Sequence, residues 1–157
     1  MSKIITCLWF GKDAEEAARL YTSLVPNSHI DSVNRSPVDY PGGKAGDVIT
    51  VYFTLDGQQY LGLNGGEQVN YGNAASVVVM CDDQAEVDRL WDTLLEGGKP
   101  MACGWLTDKF GVPWQVTPRR LVELINGPDH AVAKRVMEAM MGMVKLDIAG
   151  LEKAVAR

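Results

Sequence analysis

The stretch CGWLTDKFGVPWQVTP, residues 103–118, predicts two short strands joined by a tight turn. Residues 108–111, DKFG, suit a type I turn, because Asp at the first position accepts backbone hydrogen bonds and Gly is favoured at the fourth. The strand after the turn contains Trp114, Gln115 and Val116, and aromatic and β-branched residues favour strands. Because side chains alternate along a strand, we predict that Trp114 and Val116 pack beneath a helix while Gln115 projects into a cavity.

Length, charge and cysteine content limit the class of protein. The chain has 157 residues, which predicts a single domain over 1–157, and its net charge of −5 argues against nucleic acid or an anionic membrane as partner. No apolar run approaches the roughly 20 residues of a membrane span. The N-terminus lacks a signal-peptide pattern, and the three cysteines share no CxxC spacing, so we expect a cytoplasmic protein with reduced thiols.

Hydrophobic periodicity predicts strands and helices in a regular order. In residues 3–10 both the odd-numbered and the even-numbered positions are mostly apolar, which predicts a strand covered on both faces. Asp13 is a candidate N-cap for the helix AEEAARLYTSL, and Asp56-Gly57 is a strong hairpin signal. Further strands are predicted at 29–35, 47–55, 59–63 and 75–80, a second helix follows Asp82-Asp83, and 36–46 is a loop long enough to be mobile. From Pro118 onward the pattern is helical: RRLVELI, DHAVAKRVMEAMMGM and DIAGLEKAVAR.

A weak internal repeat connects the two halves. Arg19-Leu20-Tyr21 recurs 70 residues later as Arg89-Leu90-Trp91, each time on a helix that follows a strand. The order of strand, helix and several strands is therefore present twice, which predicts two similar modules whose paired sheets enclose a groove. We place module one at about 1–66, module two at about 72–118 and the C-terminal helices at 119–157.

Several motifs, in order, carry a family resemblance. They are LWF followed by AEEAARLYTSL, then LNGG at 63–66, CDDQAEVD at 81–88, CGWLTDKFGVPWQVTP and the C-terminal VMEAMMGMVKLDIAGLEKA. With them the chain resembles the PhnB-like branch of the glyoxalase/bleomycin resistance/dioxygenase (vicinal oxygen chelate) superfamily, and more closely the 3-demethylubiquinone-9 3-methyltransferase-like family. The resemblance implies an α+β fold in which paired βαβββ modules form a U-shaped sheet around a ligand cavity, usually in a homodimer.

The resemblance also implies where a site would lie. Superfamily enzymes place His, Glu or Gln ligands for a metal on inner strands, and the matching positions here fall near Thr6, Asn64, Ser76 and Gln115. Gln115 alone among these is a residue type that the superfamily uses on metal. Thr, Asn and Ser are weak ligands for divalent metals, because they lack both charge and imidazole. His29 and His130 do not fall on these positions. We therefore expect no metal and no cofactor, and take Thr6, Asn64, Ser76, Trp105 and Gln115 as candidate cavity residues.

Other chemistry-bearing residues have simpler structural interpretations. The pairs Gly42-Gly43, Gly65-Gly66 and Gly97-Gly98 predict turns and a helix stop rather than the Gly-rich turn that holds a nucleotide-sized methyl donor. Cys81 and Cys103 are expected to be buried small hydrophobes, because no histidine lies in a context that would activate them. Asp82 and Asp83 are expected to cap a helix, and Asp108 and Lys109 to be solvated at their turn.

Two classes of function remain open. One is a dimeric, metal-free module that binds a small apolar or aromatic molecule with a few polar anchors. The other is an enzyme of the glyoxalase/dioxygenase superfamily or, by family label alone, a 3-demethylubiquinone-9 3-methyltransferase-like enzyme. The methionines Met137, Met140, Met141 and Met143, at helical spacing, are expected in a core or in the dimer interface. Substrate-dependent turnover would distinguish the two classes.

Overall fold

The computed structural model describes residues 2–156, and within them it contains two four-stranded sheets, each with a helix packed on one face. The elements are β1 (Thr6–Phe10), α1 (Ala14–Leu24), β2 (His29–Arg35), β3 (Val48–Leu55), β4 (Gln58–Asn64), β5 (Val77–Cys81), α2 (Gln84–Leu95), β6 (Lys99–Pro100), β7 (Trp105–Thr107), β8 (Pro113–Pro118), α3 (Arg119–Ile125), α4 (His130–Met141) and α5 (Ile148–Val155). The chain divides into two compact units, Met1–Asn70 and Tyr71–Arg157. None of the helices in this part of the chain is both long enough and apolar enough to cross a bilayer.

Unit one is built on sheet one, with strand order β1-β4-β3-β2. β1 runs parallel to β4, and the other neighbours are antiparallel. Helix α1 packs on one face, where the ring centroids of Tyr21 and Phe53 lie 6.2 Å apart and Phe53 stacks on Tyr60 at 5.4 Å. The buried residues of α1, which are Ala14, Ala17, Ala18, Tyr21 and Leu24, therefore belong to the core of this unit.

The predicted hairpin between β3 and β4 is confirmed. Leu55 pairs with Gln58, so Asp56 and Gly57 form a two-residue loop. Their φ angles are +44° and +82°, as a type I′ turn requires, and Asp and Gly tolerate these values better than other residues.

Strand β1 differs from its prediction. It begins at Thr6 rather than at residue 3, and Ile4 is 85% exposed. Leu8 and Phe10 are buried, whereas Cys7 on the opposite face is exposed. The prediction of a strand covered on both faces is wrong, because α1 covers one face of sheet one and the apolar residues at the other parity are not packed beneath a helix.

Unit two repeats the architecture of unit one on sheet two, with strand order β5-β8-β7-β6. Its first strand again runs parallel to its fourth, and the remaining pairs are antiparallel. Helix α2 packs against β8 and β7 through a buried stripe made of Val87, Leu90, Trp91 and Leu94. The internal repeat is thus a repeat of βαβββ topology. The two-residue strand β6 was not predicted, since Lys99-Pro100 has no strand periodicity.

Helices α3 to α5 belong to unit two and share a core of their own. It contains Leu121, Leu124, Val136, Leu146, Leu151 and Ala154, with Met140 and Met143 packed against it. Met137 and Met141 are exposed instead, so the methionine cluster is divided between core and surface. Gln84 at the start of α2 joins this core to α2, because its amide donates to the Leu146 carbonyl oxygen at 3.1 Å and accepts from the Ile148 N–H at 2.8 Å.

Candidate functional site

The candidate site is the face of sheet two that α2 does not cover, called here the open face of sheet two. Trp114 and Val116 are buried on the helix-covered side, with 1% and 0% of their surfaces exposed. Gln115 lies between them in the same strand and is partly exposed on the opposite side. The alternation predicted for this strand is therefore present in the structure.

Three residues form a row across the open face of sheet two. Gln115 pairs with Trp105 on one neighbouring strand and with Val78 on the other, and directly opposed residues share a face. Val78 is 48% exposed, and Trp105 is partly exposed. The row combines a broad aromatic surface, a carboxamide and an exposed aliphatic side chain, which is a suitable surface for an apolar or aromatic molecule.

A hydroxyl group fixes the Gln115 carboxamide. Its Nε2 donates to Ser76 Oγ at 2.9 Å, just before β5. With the amide nitrogen donating to Ser76, the Oε1 atom is the acceptor that Gln115 can offer to a ligand. Ser76, Trp105 and Gln115, three of the predicted cavity residues, are therefore brought together in unit two.

The turn that precedes β8 holds this row in position. Asp108 is 3% exposed, and its Oδ1 atom accepts from the Phe110 and Val112 N–H groups at 2.9 and 3.0 Å. Its Oδ2 atom accepts from the Trp114 indole at 2.9 Å. A β-turn over residues 108–111 is confirmed by the bond from Gly111 N–H to the Asp108 carbonyl at 3.0 Å. The expectation of a solvated Asp108 is wrong, because this carboxylate ties the turn to the strand beyond it.

A close backbone approach positions β7 and Trp105. Cys103 and Gly104 have φ angles of +62° and +81°, and their N–H groups donate to the carbonyls of Met143 and Val144, each at 2.8 Å. A Cβ atom at Gly104 would lie 2.7 Å from Leu146 Cδ1. Glycine is therefore required at this position both by backbone conformation and by the proximity of the C-terminal segment.

The two candidates in unit one are placed differently. Asn64 is 4% exposed; its Oδ1 accepts from the Ala14 N–H at 2.9 Å and its Nδ2 donates to the Val48 carbonyl at 3.0 Å. Its amide thus caps α1, and Asp13 makes no side-chain capping bond. Thr6 is exposed and pairs with Tyr60, four positions along the ladder from Asn64, or about 13 Å. The structure does not bring these two side chains together.

The open face of sheet one holds apolar residues that the sequence analysis did not single out. Cys7, Trp9, Tyr52 and Leu61 share it, by the register Cys7↔Leu61↔Tyr52 and by alternation along β1. Trp9 is anchored by its indole, which donates to the Glu67 carbonyl at 2.8 Å. Period-two alternation around the buried Leu8 and Phe10 was the signal that could have identified this face.

The donor groups do not fit the metal that the superfamily's name implies. Within residues 2–156 no group of three or more His, Cys, Asp or Glu side chains is clustered closely enough to hold an ion. Ser76 and Gln115 offer a hydroxyl and an amide, and both polar atoms of the Asn64 amide are used within unit one. Neutral oxygen donors of this kind are weak ligands for zinc, nickel or iron. No chemistry is therefore assigned to a metal here.

Cys81 and Cys7 are poorly suited to nucleophilic chemistry. Cys81 is fully buried, and this burial, with Glu86 and Asp82 nearby, raises its pKa to about 12. Burial also raises the pKa of the exposed-face Cys7. Since the thiolate is the reactive form, neither thiol is activated at neutral pH. Asp83 caps α2 as predicted, accepting from the Glu86 N–H at 2.8 Å.

Comparison with known proteins gives a consistent result. A family model described as 3-demethylubiquinone-9 3-methyltransferase matches residues 2–117. A solved PhnB protein from Bacillus cereus is 36% identical, with a TM-score of 0.67, over 74% of this chain and 99% of its own. A solved protein from Pseudomonas aeruginosa, 19% identical, has a TM-score of 0.62 over 75% of this chain and 98% of its own, and supports the fold alone. No curated protein matches the chain.

The family model ends at Thr117 and does not extend over α3 to α5. It does include the Asp108 turn and the row of Val78, Trp105 and Gln115. The family resemblance is thus carried by the two βαβββ units, and the resemblance noted for the C-terminal helices stays a prediction.

Proposed function

The chain belongs to the 3-demethylubiquinone-9 3-methyltransferase family, PhnB-like proteins of the glyoxalase/bleomycin resistance/dioxygenase superfamily, and from this membership we propose that it binds a small, largely apolar or aromatic molecule. The binding surface is the open face of sheet two, with Trp105, Val78 and Gln115 in contact with the ligand. In this proposal the site needs no metal, and the protein binds its ligand as a non-enzymatic module.

The row of Trp105, Gln115 and Val78 carries this proposal. An indole ring offers a large rigid surface for stacking, and the 48% exposed Val78 adds an aliphatic contact. The Oε1 atom of Gln115 would accept a hydrogen bond from a donor at one edge of the ligand, while its Nε2 atom donates to Ser76. A few polar anchors on a mostly apolar surface are typical of small-molecule sites.

The reaction in the family's name finds no support in the glycines. Gly65-Gly66 follows β4 and lies against the loop that contains Gly42, and Gly97-Gly98 follows α2. Neither pair opens a helix after a buried strand, which is the arrangement that holds the phosphates of a nucleotide. Methyl transfer therefore stays the alternative, and it would be recognised by substrate-dependent turnover.

Native mass spectrometry of protein purified from expressing cells tests the proposal. The wild type should retain a co-purified small molecule, or bind added 1-naphthol, and Trp105→Ala and Gln115→Leu should each lose it. Gln58→Ala, which changes an exposed glutamine in the other unit, is the matched control and should retain it. Equal retention by all variants, or no binding by the wild type, would contradict the proposal.

We also propose a cytoplasmic homodimer. Support comes from the three free cysteines, which are typical of a reducing compartment, and from the resemblance to a superfamily whose members are usually dimers.

A further inference from the structure

A cleft lies wholly within unit one and shares no residue with the open face of sheet two. It has a volume of about 690 Å³ and is bordered by the start of β2, the ends of β3 and β4 at their hairpin, and the residues before β1. Its polar lining includes His29, Asp31, Thr54, Asp56 and Gln59. A volume of several hundred cubic ångströms is typical of small-molecule sites.

Strand register brings these side chains together. His29 pairs with Thr54, and Thr54 pairs with Gln59, so the three form a row across β2, β3 and β4. The register between β2 and β3 shifts between Ile30 and Ser32, which leaves Asp31 as the extra residue of a β-bulge. Bulges redirect side chains, and this one turns Asp31 toward the row.

A hydrogen bond and an ion-pair contact hold the Asp31 carboxylate in the cleft. Its Oδ1 atom lies 3.0 Å from His29 Nε2, and its Oδ2 atom accepts from the Thr54 hydroxyl at 2.8 Å. The Asp31 side chain is only 30% exposed. A carboxylate has about four acceptor positions, so two remain for further donors after these bonds. The group is held in place but its hydrogen-bonding capacity is not exhausted.

Gln59 contributes an unsatisfied acceptor beside this carboxylate. Its Oε1 atom is buried and has no hydrogen-bond partner among residues 2–156. A buried polar atom without a partner is unfavourable, so a rotation of the amide that presents Oε1 to a donor in the cleft would be stabilising. The side chain is therefore poised for a ligand that donates hydrogen bonds.

The charge of the residues that line the cleft indicates the sign of the ligand's charge. Asp31 and Asp56 are both acidic, and the lining that the structure describes includes no lysine or arginine. Ile4, which is 85% exposed, adds an apolar contact at the edge. We propose that this cleft binds a small organic cation with a primary ammonium group, which donates to Asp31 and Gln59 while Asp56 adds attraction and Ile4 contacts the alkyl chain.

Titration with n-butylammonium tests this inference on the full chain. The measurement is by NMR chemical-shift perturbation at pH 8.5, well below the pKa of an ordinary alkylammonium group such as that of lysine, so the ligand is charged. We expect saturable shifts at residues of the cleft, with a dissociation constant of about millimolar, as suits a ligand of this size. The neutral isostere n-butanol should bind at least about tenfold more weakly, because it lacks the charge. Equal binding of the two, or no saturable shifts, would overturn the proposal.

Variants of the cleft residues distinguish a loss of ligand binding at this site from a general effect on the stability of the protein. Asp56→Asn preserves the turn, because Asn-Gly is favoured in type I′ geometry, and Gln59→Met removes the unsatisfied oxygen. Each should weaken binding about tenfold or more, while the urea midpoint stays equal or, for Gln59→Met, rises. Asp13→Asn, an exposed carboxylate of the same unit outside the cleft, should bind like the wild type. Unchanged binding in both cleft variants would contradict the assignment, whatever the outcome for sheet two.

Discussion

Among individual residues, Asp108 has the largest structural role that the sequence did not disclose. Its carboxylate accepts hydrogen bonds from two backbone N–H groups and from the Trp114 indole. All three donors lie at buried positions, so water cannot replace the carboxylate there. The turn, the start of β8 and the core tryptophan are therefore joined through a single side chain.

We expect Asp108→Ala to lower the free energy of unfolding by about 3 kcal/mol or more, since each buried donor left without an acceptor costs about 1–3 kcal/mol. Urea unfolding followed by tryptophan fluorescence measures the change. Asp13→Ala is the control and should change stability by no more than about 0.5 kcal/mol, because Asp13 is exposed and makes no capping bond. Similar losses for the two variants would be inconsistent with this role of Asp108.

Cys81 predicts a dependence of stability on alkaline pH. Burial, with the nearby Glu86 and Asp82, raises its pKa from 9.0 to about 12 in the folded protein. Both states hold the thiol proton below pH 9, so this contribution is fully present there and is lost as the pH rises from 9 toward 12. The loss has a slope of about 1.4 kcal/mol per pH unit.

The measurement compares urea unfolding of the wild type and Cys81→Ala at pH 8 and pH 10.5 in reducing buffer. The wild type should lose more stability than the variant between the two pH values, because other titrating groups contribute equally to both. An identical loss would show that Cys81 does not carry the effect.

At the scale of elements, β8 buries Trp114 on one side and leaves Gln115 partly exposed on the other, so the two residues should respond differently to truncation. Trp114→Ala should cost roughly 3–5 kcal/mol, the usual result of emptying a buried aromatic site. Gln115→Ala should change stability by less than about 0.5 kcal/mol and should weaken ligand binding. Chemical denaturation provides the stability values, and the reverse pattern would mean that the strand's faces are exchanged.

The contact between the β7 entry and the C-terminal segment gives a matched pair of glycine substitutions. Gly104 and Gly57 have φ angles of +81° and +82°, but a Cβ at Gly57 meets nothing within 4 Å, whereas one at Gly104 meets Leu146. Gly57→Ala should therefore cost only the backbone strain, about 1–2 kcal/mol. Gly104→Ala should cost about 1–3 kcal/mol more, from overpacking.

Thermal and urea unfolding of both glycine variants test this difference directly. Because the backbone contribution is nearly equal, the difference measures the crowding of the new methyl group against Leu146 and against the Val116 carbonyl oxygen, which would lie 3.0 Å away. Equal destabilisation would mean that these neighbours accommodate the methyl group at no cost.

Much of the element pattern could be predicted because local signals specify it. α1, α3 and β2 have the predicted bounds, and the Asp56-Gly57 turn follows from two residues that tolerate positive φ. Asn64 illustrates the limit: its amide caps a helix fifty residues earlier in the chain, and no periodicity encodes that contact. The expectation of a solvated Asp108 is wrong for the same reason, since a turn position indicates exposure unless residues distant in sequence enclose it.

The candidate site was predictable in unit two and not in unit one. Strand alternation around Trp114 fixed the face of Gln115, and its neighbours followed from pairing. The cleft near His29 depends on the bulge at Asp31, which arises from the pairing of two strands rather than from the sequence of either strand. Periodicity within one segment does not report such a register shift.

At the scale of the whole molecule, we expect a C₂ homodimer, the commonest closed assembly. Each sheet has edge strands, and Val33 on β2 and Met141 on α4 are exposed, at 37% and 57%. Such surfaces are usually covered in a stable protein. Light scattering at micromolar concentration should give twice the mass of one chain, and a monomeric mass would contradict the expectation.

The hydrogen bonds of the Gln84 amide affect how the sequence of the C-terminal segment can change in evolution. The amide holds the segment after α4 only through the Leu146 carbonyl and the Ile148 N–H, and every residue but proline offers both groups. Because these two bonds recognise main chain and not side chains, substitutions at Leu146 or Ile148 other than proline leave both bonds available, while the packing of Leu146 in the core still constrains its side chain. A segment of similar backbone path with an apolar residue at that core position could thus be held on α2 by the same glutamine.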